Sequence, residues 1–100
     1  MRLSDYFSQA SGVGVLSTAD SAGRVDAAIY AKPHIMDDGT VAFIMRDRLT
    51  HQNLTGNPYA VYLFIEQARG FQGVRLFLKK VREDTDAQLI QAMTRQSLSP

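Results

Sequence analysis

The chain of 100 residues contains no cysteine and only two histidines, His34 and His51. Without cysteine, neither a disulfide nor a thiolate metal site can form. The two histidines do not have the spacing of a helical ligand pair, so we predict no metal site. A domain this small buries only about 60–70% of the surface that its unfolded chain exposes. A bound cofactor or a second subunit is therefore the expected source of additional stability.

Long apolar runs and runs of like charge are also missing. The longest uninterrupted apolar stretch is residues 60–65, far shorter than the roughly 20 residues of a membrane-spanning helix. The first ten residues lack the apolar centre of a signal peptide. The net charge is only +1, whereas nucleic-acid-binding domains carry clustered basic residues. These absences predict one domain over residues 1–100, cytoplasmic, with no membrane or nucleic-acid partner.

Motifs of the common enzyme classes are absent as well. The sequence has no glycine-rich phosphate fingerprint, no Walker lysine motif and no nucleophile elbow. Ser17, Thr18 and Ser21 have no histidine at a sequence distance that indicates a hydrolase triad. No residue stands out as a general acid or base, so the sequence assigns no catalytic residue.

Alternating and apolar segments predict a mainly β protein. The predicted strands are residues 13–18, 25–35, 41–45, 59–66 and 73–81. Turn sequences occur at residues 20–23 and 37–39, and the second, Asp-Asp-Gly, is a strong hairpin signal. A capping box at residues 85–88 predicts a C-terminal helix that ends near Gln96. Together these elements predict a small antiparallel barrel of about five strands, with a short helix after the third strand.

The fourth predicted strand, residues 59–66, is apolar on both faces. Its two faces carry Val61, Leu63 and Ile65 on one side and Ala60, Tyr62 and Phe64 on the other. A strand with one face in solvent normally alternates with polar residues. We expect the second face to be covered either by the C-terminal helix or by another subunit, and both alternatives remain open.

Residues 46–58 connect the third and fourth predicted strands through a short helix. Thr50 can cap the helix, Gly56 can end it in a left-handed conformation and Pro58 prevents its continuation. The basic residues near its start are Arg46, Arg48 and His51. Free N–H groups and the helix dipole favour an anion there, which predicts a phosphate site. The alternative is a surface connection whose arginines pair with neighbouring acidic residues.

Three stretches carry a resemblance to a known family. They are Arg-Leu-Thr-His-Gln-Asn-Leu-Thr-Gly-Asn-Pro-Tyr-Ala-Val-Tyr-Leu-Phe at residues 48–64, Gly-Val-Leu-Ser-Thr-Ala-Asp-Ser-Ala-Gly at residues 14–23 and Gly-Val-Arg-Leu at residues 73–76. With the Asp-Asp-Gly hairpin, this pattern resembles the pyridoxamine 5′-phosphate oxidase-related, FMN-binding split-barrel family. The resemblance covers roughly residues 12–83 and implies a small antiparallel split β-barrel.

The resemblance also implies a cofactor and a partner. Members of the family are typically homodimers with two FMN sites at the subunit interface. For the FMN phosphate it implies Arg46, Arg48, Thr50, His51 and Asn53. For the flavin ring and ribityl chain it implies Ala28, Ile29, Tyr30, Ala31, Ile44 and Met45. Glu66 and Arg75 are the candidates that a partner subunit would contribute.

Two departures from the family pattern refine the expected function. Many relatives place a lysine just before the short helix, where this chain has Leu49 and Thr50; an arginine can replace it because its guanidinium binds phosphate in a bidentate fork. The longer C-terminal segment of the vitamin-oxidising members is missing, so we do not expect pyridoxamine phosphate oxidation. The resemblance implies a small FMN-dependent oxidoreductase that exchanges electrons with a nicotinamide nucleotide or a redox protein. The alternative is a non-catalytic flavin carrier or sensor, or a structural barrel without ligand.

Overall fold

The structure is a computed structural model that describes residues 2–45, 49–67, 70, 72–84 and 89–99. Its elements are α1 (Leu3–Gln9), β1 (Gly12–Ala19), β2 (Val25–Tyr30), β3 (His34–Ile35), β4 (Thr40–Ile44), α2 (Leu49–Gly56), β5 (Tyr59–Glu66), β6 (Gly73–Asp84) and β7 (Leu89–Ser99). The seven strands form one sheet in the order β2-β1-β5-β6-β7-β4-β3, and every pair of neighbours is antiparallel. The expected mainly β, antiparallel architecture is confirmed.

One apolar core lies on the concave side of this sheet. It joins side chains of β1, β4, β5 and β6 to one residue from each helix, Phe7 of α1 and Leu54 of α2. A single cluster can include strands from both ends of the sheet order only if the sheet curls around it. Aromatic rings meet edge to face in this core, as for Phe7 and Phe64, whose ring centroids lie 5.4 Å apart.

The curled sheet is open along one seam. Its two edge strands, β2 and β3, are consecutive in the chain and separated only by residues 31–33. The predicted continuous strand over residues 25–35 is therefore wrong: the chain leaves one edge at Tyr30 and joins the opposite edge at His34. Pro33 in this crossing cannot donate a ladder hydrogen bond, which favours the break.

The C-terminal segment differs from the prediction. Residues 89–99 form β7, which pairs with β6 on one side and with β4 on the other, whereas a helix to about Gln96 was expected. The capping box at residues 85–88 lies outside the described residues. Without β7, both β4 and β6 would present an unpaired edge, and the gain from pairing two edges outweighs a modest helix propensity.

Both predicted turns are confirmed. Between β1 and β2, the Asp20 carboxylate accepts hydrogen bonds from the N–H groups of Ala22 and Arg24, and Gly23 adopts φ = 85°. Between β3 and β4, Gly39 adopts φ = 86°. Glycine is the residue that takes such left-handed angles without steric cost.

The short helix α2 is present, but its ends differ from the prediction. It begins at Leu49 and still includes Gly56, which does not adopt a positive φ. Tertiary contacts hold the helix: Leu54 is buried in the core, and a side chain added at Gly56 would come within 3.5 Å of the Ser21 side chain. Packing of this kind is needed because a helix of eight residues is marginal in water by itself. Among the described residues, no helix has the length and apolarity to cross a membrane.

Candidate functional site

A groove of about 470 Å³ lies at the open seam of the sheet. We call it the seam groove; it is lined by Asp26, Ala28, Ile29, Tyr30, Ala31, Ile44, Leu49 and Thr50. Six of these residues, all except Asp26 and Leu49, are among those implied by the family resemblance. The volume falls within the range of about 300–1,000 Å³ that is typical of ligand pockets.

The apolar part of the seam groove comes from β2 and from the end of β4. Ile29 and Ile44 line it and are 80% and 62% exposed in total; Ile29 also belongs to the opposite face of the edge strand β2. Between them the wall is formed by small side chains, those of Ala28 and Ala31. Exposed branched side chains beside small ones leave space for an apolar, flat group to lie against the strand.

The polar part of the groove lies where α2 approaches the start of β2. The Thr50 hydroxyl is 3.5 Å from the Asp26 carboxylate. The sequence-based site did not include Asp26, although it shares one face of β2 with Ala28 and Tyr30 by simple alternation. A carboxylate accepts hydrogen bonds from hydroxyl groups and repels a nearby phosphate, so Asp26 affects which part of a ligand fits here.

Tyr30 belongs to the wall of the groove and is fixed on the core side. Its ring meets that of Phe43 edge to face, at a centroid distance of 6.2 Å. Its backbone carbonyl lies 3.4 Å from the Tyr62 hydroxyl. Tyr30 therefore contributes a stationary wall, since both its ring and its backbone contact the interior.

Two residues that the resemblance implies for the site lie away from the groove. Met45 is buried in the core. Asn53 is buried against β1, where its side-chain amide donates a 3.0 Å hydrogen bond to the Thr18 hydroxyl. Both polar groups of this pair are nearly inaccessible to solvent. Met45 and Asn53 therefore make contacts in the protein interior and do not line the seam groove.

His51 also lies outside the groove lining, and its contacts connect α2 to β6. Its Nε2 atom forms a hydrogen bond with the carboxylate of Glu83. Lys80 donates to the other oxygen of the same carboxylate at 3.2 Å. These hydrogen bonds, first from His51 and then from Lys80, lower the pKa of Glu83 below its ordinary value. The cluster holds the first turn of α2 in place.

The two arginines of the predicted phosphate site, Arg46 and Arg48, lie outside the described residues. Leu49, which directly follows Arg48, lines the seam groove, as does Ile44, two positions before Arg46; Met45 between Ile44 and Arg46 is buried in the core. Across the described ranges, no group of three or more histidine, aspartate or glutamate side chains could hold a metal ion.

A second groove lies on the other side of the sheet, which is convex and faces away from the core. We call this surface of β2, β1, β5 and β6 the outer face; its large exposed apolar residues are Val13, Val25, Ile29, Tyr59, Ile65 and Phe77. It contains an open groove of about 750 Å³. Arg75 lies on this face, with its guanidinium 5.4 Å from the centre of the Phe77 ring. Glu66, by contrast, accepts a 2.8 Å hydrogen bond from Tyr6 of its own chain.

Solved structures resemble this fold, although their sequences differ widely from this one. No protein-family model matches the chain, and no curated protein matches it significantly. Three solved structures superpose on most of it. A variant of HupZ from Group A Streptococcus gives a TM-score of 0.73 at 15% identity, covering 89% of this chain and 91% of its own. An FMN-binding protein from Syntrophomonas wolfei gives 0.72 at 13% identity, covering 94% and 81%. HutZ, a heme storage protein from Vibrio cholerae, gives 0.67 at 18% identity, covering 99% and 94%.

The chain shares the split-barrel fold of these structures. In this split barrel, the opening between β2 and β3 is the split, and the seam groove lies beside it. The fold places an edge strand, the end of β4 and a helix N-terminus around one cavity. That arrangement can hold a ligand with one flat apolar part and one polar or anionic part.

Proposed function

We propose that the protein binds FMN in the seam groove and works as a homodimer that associates through the outer face. The seam groove is the observation that carries the proposal. Ala28, Ile29 and Ala31 offer an apolar wall suited to the isoalloxazine ring, and Asp26 can accept hydrogen bonds from ribityl hydroxyls. The groove leads to the start of α2, where helix N–H groups favour the phosphate.

The charge of Asp26 makes a cation necessary in this arrangement. A phosphate beside Thr50 would lie close to the Asp26 carboxylate and would be repelled by it. Arg46 and Arg48 are the arginines closest in sequence to the start of α2, and an arginine fork binds phosphate in bidentate geometry. We therefore keep both arginines as the proposed phosphate ligands. Thr50 and the N–H groups of the first helical turn complete the proposed set.

Haem is the rival ligand, because one of the similar structures is a heme storage protein. Haem iron takes histidine, methionine, cysteine or tyrosine as its axial ligand in proteins. Among the described residues that line the groove, Tyr30 alone is of this kind, and its ring packs against Phe43. FMN needs no such ligand, and the residues present therefore favour FMN.

The outer face supports a second copy as partner. Its exposed apolar side chains include Val25, which is 84% exposed, and they extend across four neighbouring strands. The second face of β5 was expected to be covered by the C-terminal helix or by another subunit. Residues 89–99 form β7 within the sheet and not a helix, which leaves the other subunit as the expected cover. A broad surface with apolar residues on four neighbouring strands is the kind of surface that a homodimer buries. Arg75 would then be available to the partner.

The proposed reaction is a simple electron exchange. The bound flavin supplies the redox chemistry, and the protein binds and orients it. We propose a small oxidoreductase that exchanges electrons with a nicotinamide nucleotide or a redox protein, and not a pyridoxamine phosphate oxidase. The alternative is a flavin carrier or sensor, or a barrel without ligand. Anaerobic mixing with NADH or NADPH separates them, because the flavin of a carrier stays oxidised.

A titration of the purified protein tests the proposal. We expect FMN fluorescence to change with saturation at one flavin per chain, and haem to cause no saturable absorbance change. The double variant Arg46→Ala/Arg48→Ala should weaken FMN by about 100-fold, since charge-assisted phosphate contacts are lost. Riboflavin, which lacks the phosphate, serves as the control and should lose little. Unchanged FMN fluorescence in the wild-type protein, or equal weakening of both flavins, would contradict the assignment.

A further inference from the structure

A fully buried tyrosine reaches the backbone at the edge of the seam groove. Tyr62 of β5 has 0% of its surface exposed, and its ring lies 5.2 Å from that of Phe43. Its hydroxyl is 3.2 Å from the carbonyl oxygen of Ala31 and 3.4 Å from that of Tyr30. A buried phenol needs an acceptor, and here its one proton is shared between two carbonyls.

These carbonyls belong to the segment where β2 leaves the sheet. Tyr30 is the last residue of β2, and Ala31 begins the crossing to β3 at the opposite edge. Both residues also line the seam groove. On its other side, β2 pairs with no strand of the described chain. The hydrogen bonding of the Tyr62 hydroxyl is thus a tertiary contact that holds this end of the edge strand.

A glycine makes this reach possible. Tyr62 lies on β5, and its hydroxyl must pass the intervening strand β1 to meet β2. Gly14 of β1 stands opposite Tyr30 in the ladder, and a methyl group at Gly14 would overlap the Tyr62 hydroxyl. It would also come within 2.7 Å of the Tyr30 carbonyl oxygen. The absence of a side chain at this position therefore provides the path for the hydroxyl.

We propose that Tyr62 is a positioning residue for the flavin, one that fixes the Tyr30–Ala31 backbone and thereby the wall against which the ring lies. Tyr62 itself does not touch the ligand, and the inference rests on the proposed function. Burial raises the pKa of Tyr62 to about 12, so the phenol stays protonated and can donate at neutral pH. A carbonyl can only accept, so this protonated form is the one that the contact requires.

The variant Tyr62→Phe tests the role, with Tyr6→Phe as a matched control. Both changes remove one hydroxyl from a tyrosine that is hydrogen-bonded within its own chain, but the partner of Tyr6 is the Glu66 carboxylate, and this contact joins α1 to β5 without reaching β2. We expect Tyr62→Phe to weaken FMN and riboflavin by the same factor, about 3- to 10-fold. The flavin absorption bands should also shift towards those of free flavin. Tyr6→Phe should keep wild-type affinity and spectrum.

A second measurement needs no flavin. Amide hydrogen exchange at residues 28–30, the end of β2 that the ladder with β1 protects, should be faster in Tyr62→Phe than in Tyr6→Phe or the wild type, with thermal unfolding recorded to confirm that both variants are folded. Wild-type flavin affinity in Tyr62→Phe, together with a lower unfolding temperature, would overturn the positioning role and leave only a structural one. Unchanged exchange at residues 28–30 would overturn it as well. Failure of the wild type to bind any flavin contradicts the proposed function instead, and the exchange comparison then decides whether Tyr62 fixes the backbone.

Discussion

The outer face contains a groove, as the seam does, yet the two grooves differ in the chemistry that they offer. The groove on the outer face is the larger, about 750 Å³ against about 470 Å³. Its exposed side chains are mainly apolar, with Lys79 as the charged residue among the lining residues. The seam groove combines apolar residues with the Asp26 carboxylate, the Thr50 hydroxyl and the start of a helix.

This difference teaches that size is a poor guide to ligand binding in a small barrel. A cofactor site needs a few polar groups that fix the orientation of the ligand, and these groups converge at the seam. A broad apolar surface with polar residues at its margin is typical of a protein interface. The two regions therefore predict different consequences of mutation, and the following three experiments separate them.

The largest expected effect concerns the outer face. The double variant Val13→Lys/Val25→Lys should raise the dimer dissociation constant by about 100-fold or more, because unpaired ammonium groups are costly to bury. Both valines are mostly exposed in the single chain, so folding should be little affected. Analytical ultracentrifugation measures the change. Gln52→Lys, which adds a single lysine at an exposed position of α2, should leave the dimer intact. A wild-type protein that is monomeric at all concentrations would refute the role of this face.

A smaller effect is expected in the seam groove. Asp26→Asn removes the carboxylate beside Thr50 and should favour FMN over riboflavin by about 3- to 10-fold, since repulsion of the phosphate is lost. The ratio of the two dissociation constants, from fluorescence titration, is the measurement. Asp37→Asn removes an exposed charge from the β3–β4 turn and serves as the control. An unchanged ratio would indicate that the phosphate lies away from Asp26. The dimer dissociation constant should be the same for the wild type, Asp26→Asn and Asp37→Asn.

The smallest expected effect concerns pH. Because contacts with His51 and Lys80 lower the pKa of Glu83, they contribute stability above its ordinary value of 4.5 and lose it as pH falls through the lower folded value. Glu83→Gln should make acid unfolding less steep and weaken FMN about 2- to 5-fold at neutral pH by releasing α2. Acid titration followed by circular dichroism measures the first effect.

The matched control for this experiment is Asp38→Asn. Hydrogen bonds from Thr40 lower the pKa of Asp38, which lies in the β3–β4 turn away from α2. The control should also flatten the acid titration but should leave flavin affinity unchanged. If both variants lose flavin affinity equally, the Glu83 cluster has no specific role in holding α2.

Local patterns in the sequence predicted the parts of the fold that local chemistry determines. Gly23 and Gly39 mark turns because only a glycine takes their left-handed angles easily. The place of α2 was predicted, but with Thr50 as its cap; the helix begins at Leu49, so Thr50 lies in its first turn. The break of the second strand at Tyr30 was missed, because it depends on the opening of a sheet whose edges come from distant segments.

The C-terminal segment and the polar residues of α2 show the limit of such patterns. Residues 89–99 have a plausible helical stripe, but pairing with β4 and β6 decides their conformation. Asn53 and His51 look equally suited to an anion in the sequence. Only the tertiary structure shows that Asn53 forms a hydrogen bond with Thr18 and that His51 forms one with Glu83. Asp26 could have been found from alternation along β2, since it shares a face with Ala28 and Tyr30.

The position of β7 has a consequence for how the protein is made. β4 and β6 are both synthesised before residues 89–99, and each then presents an edge that β7 later pairs. The nascent chain therefore carries two open edges of the kind that recruit other strands. These contacts join segments about fifty residues apart, as for Val41 and Ala92, so closure of the sheet is expected to be a slow step. Completion of the sheet thus depends on β7, which is synthesised after the other six described strands, and until then the chain is most exposed to aggregation.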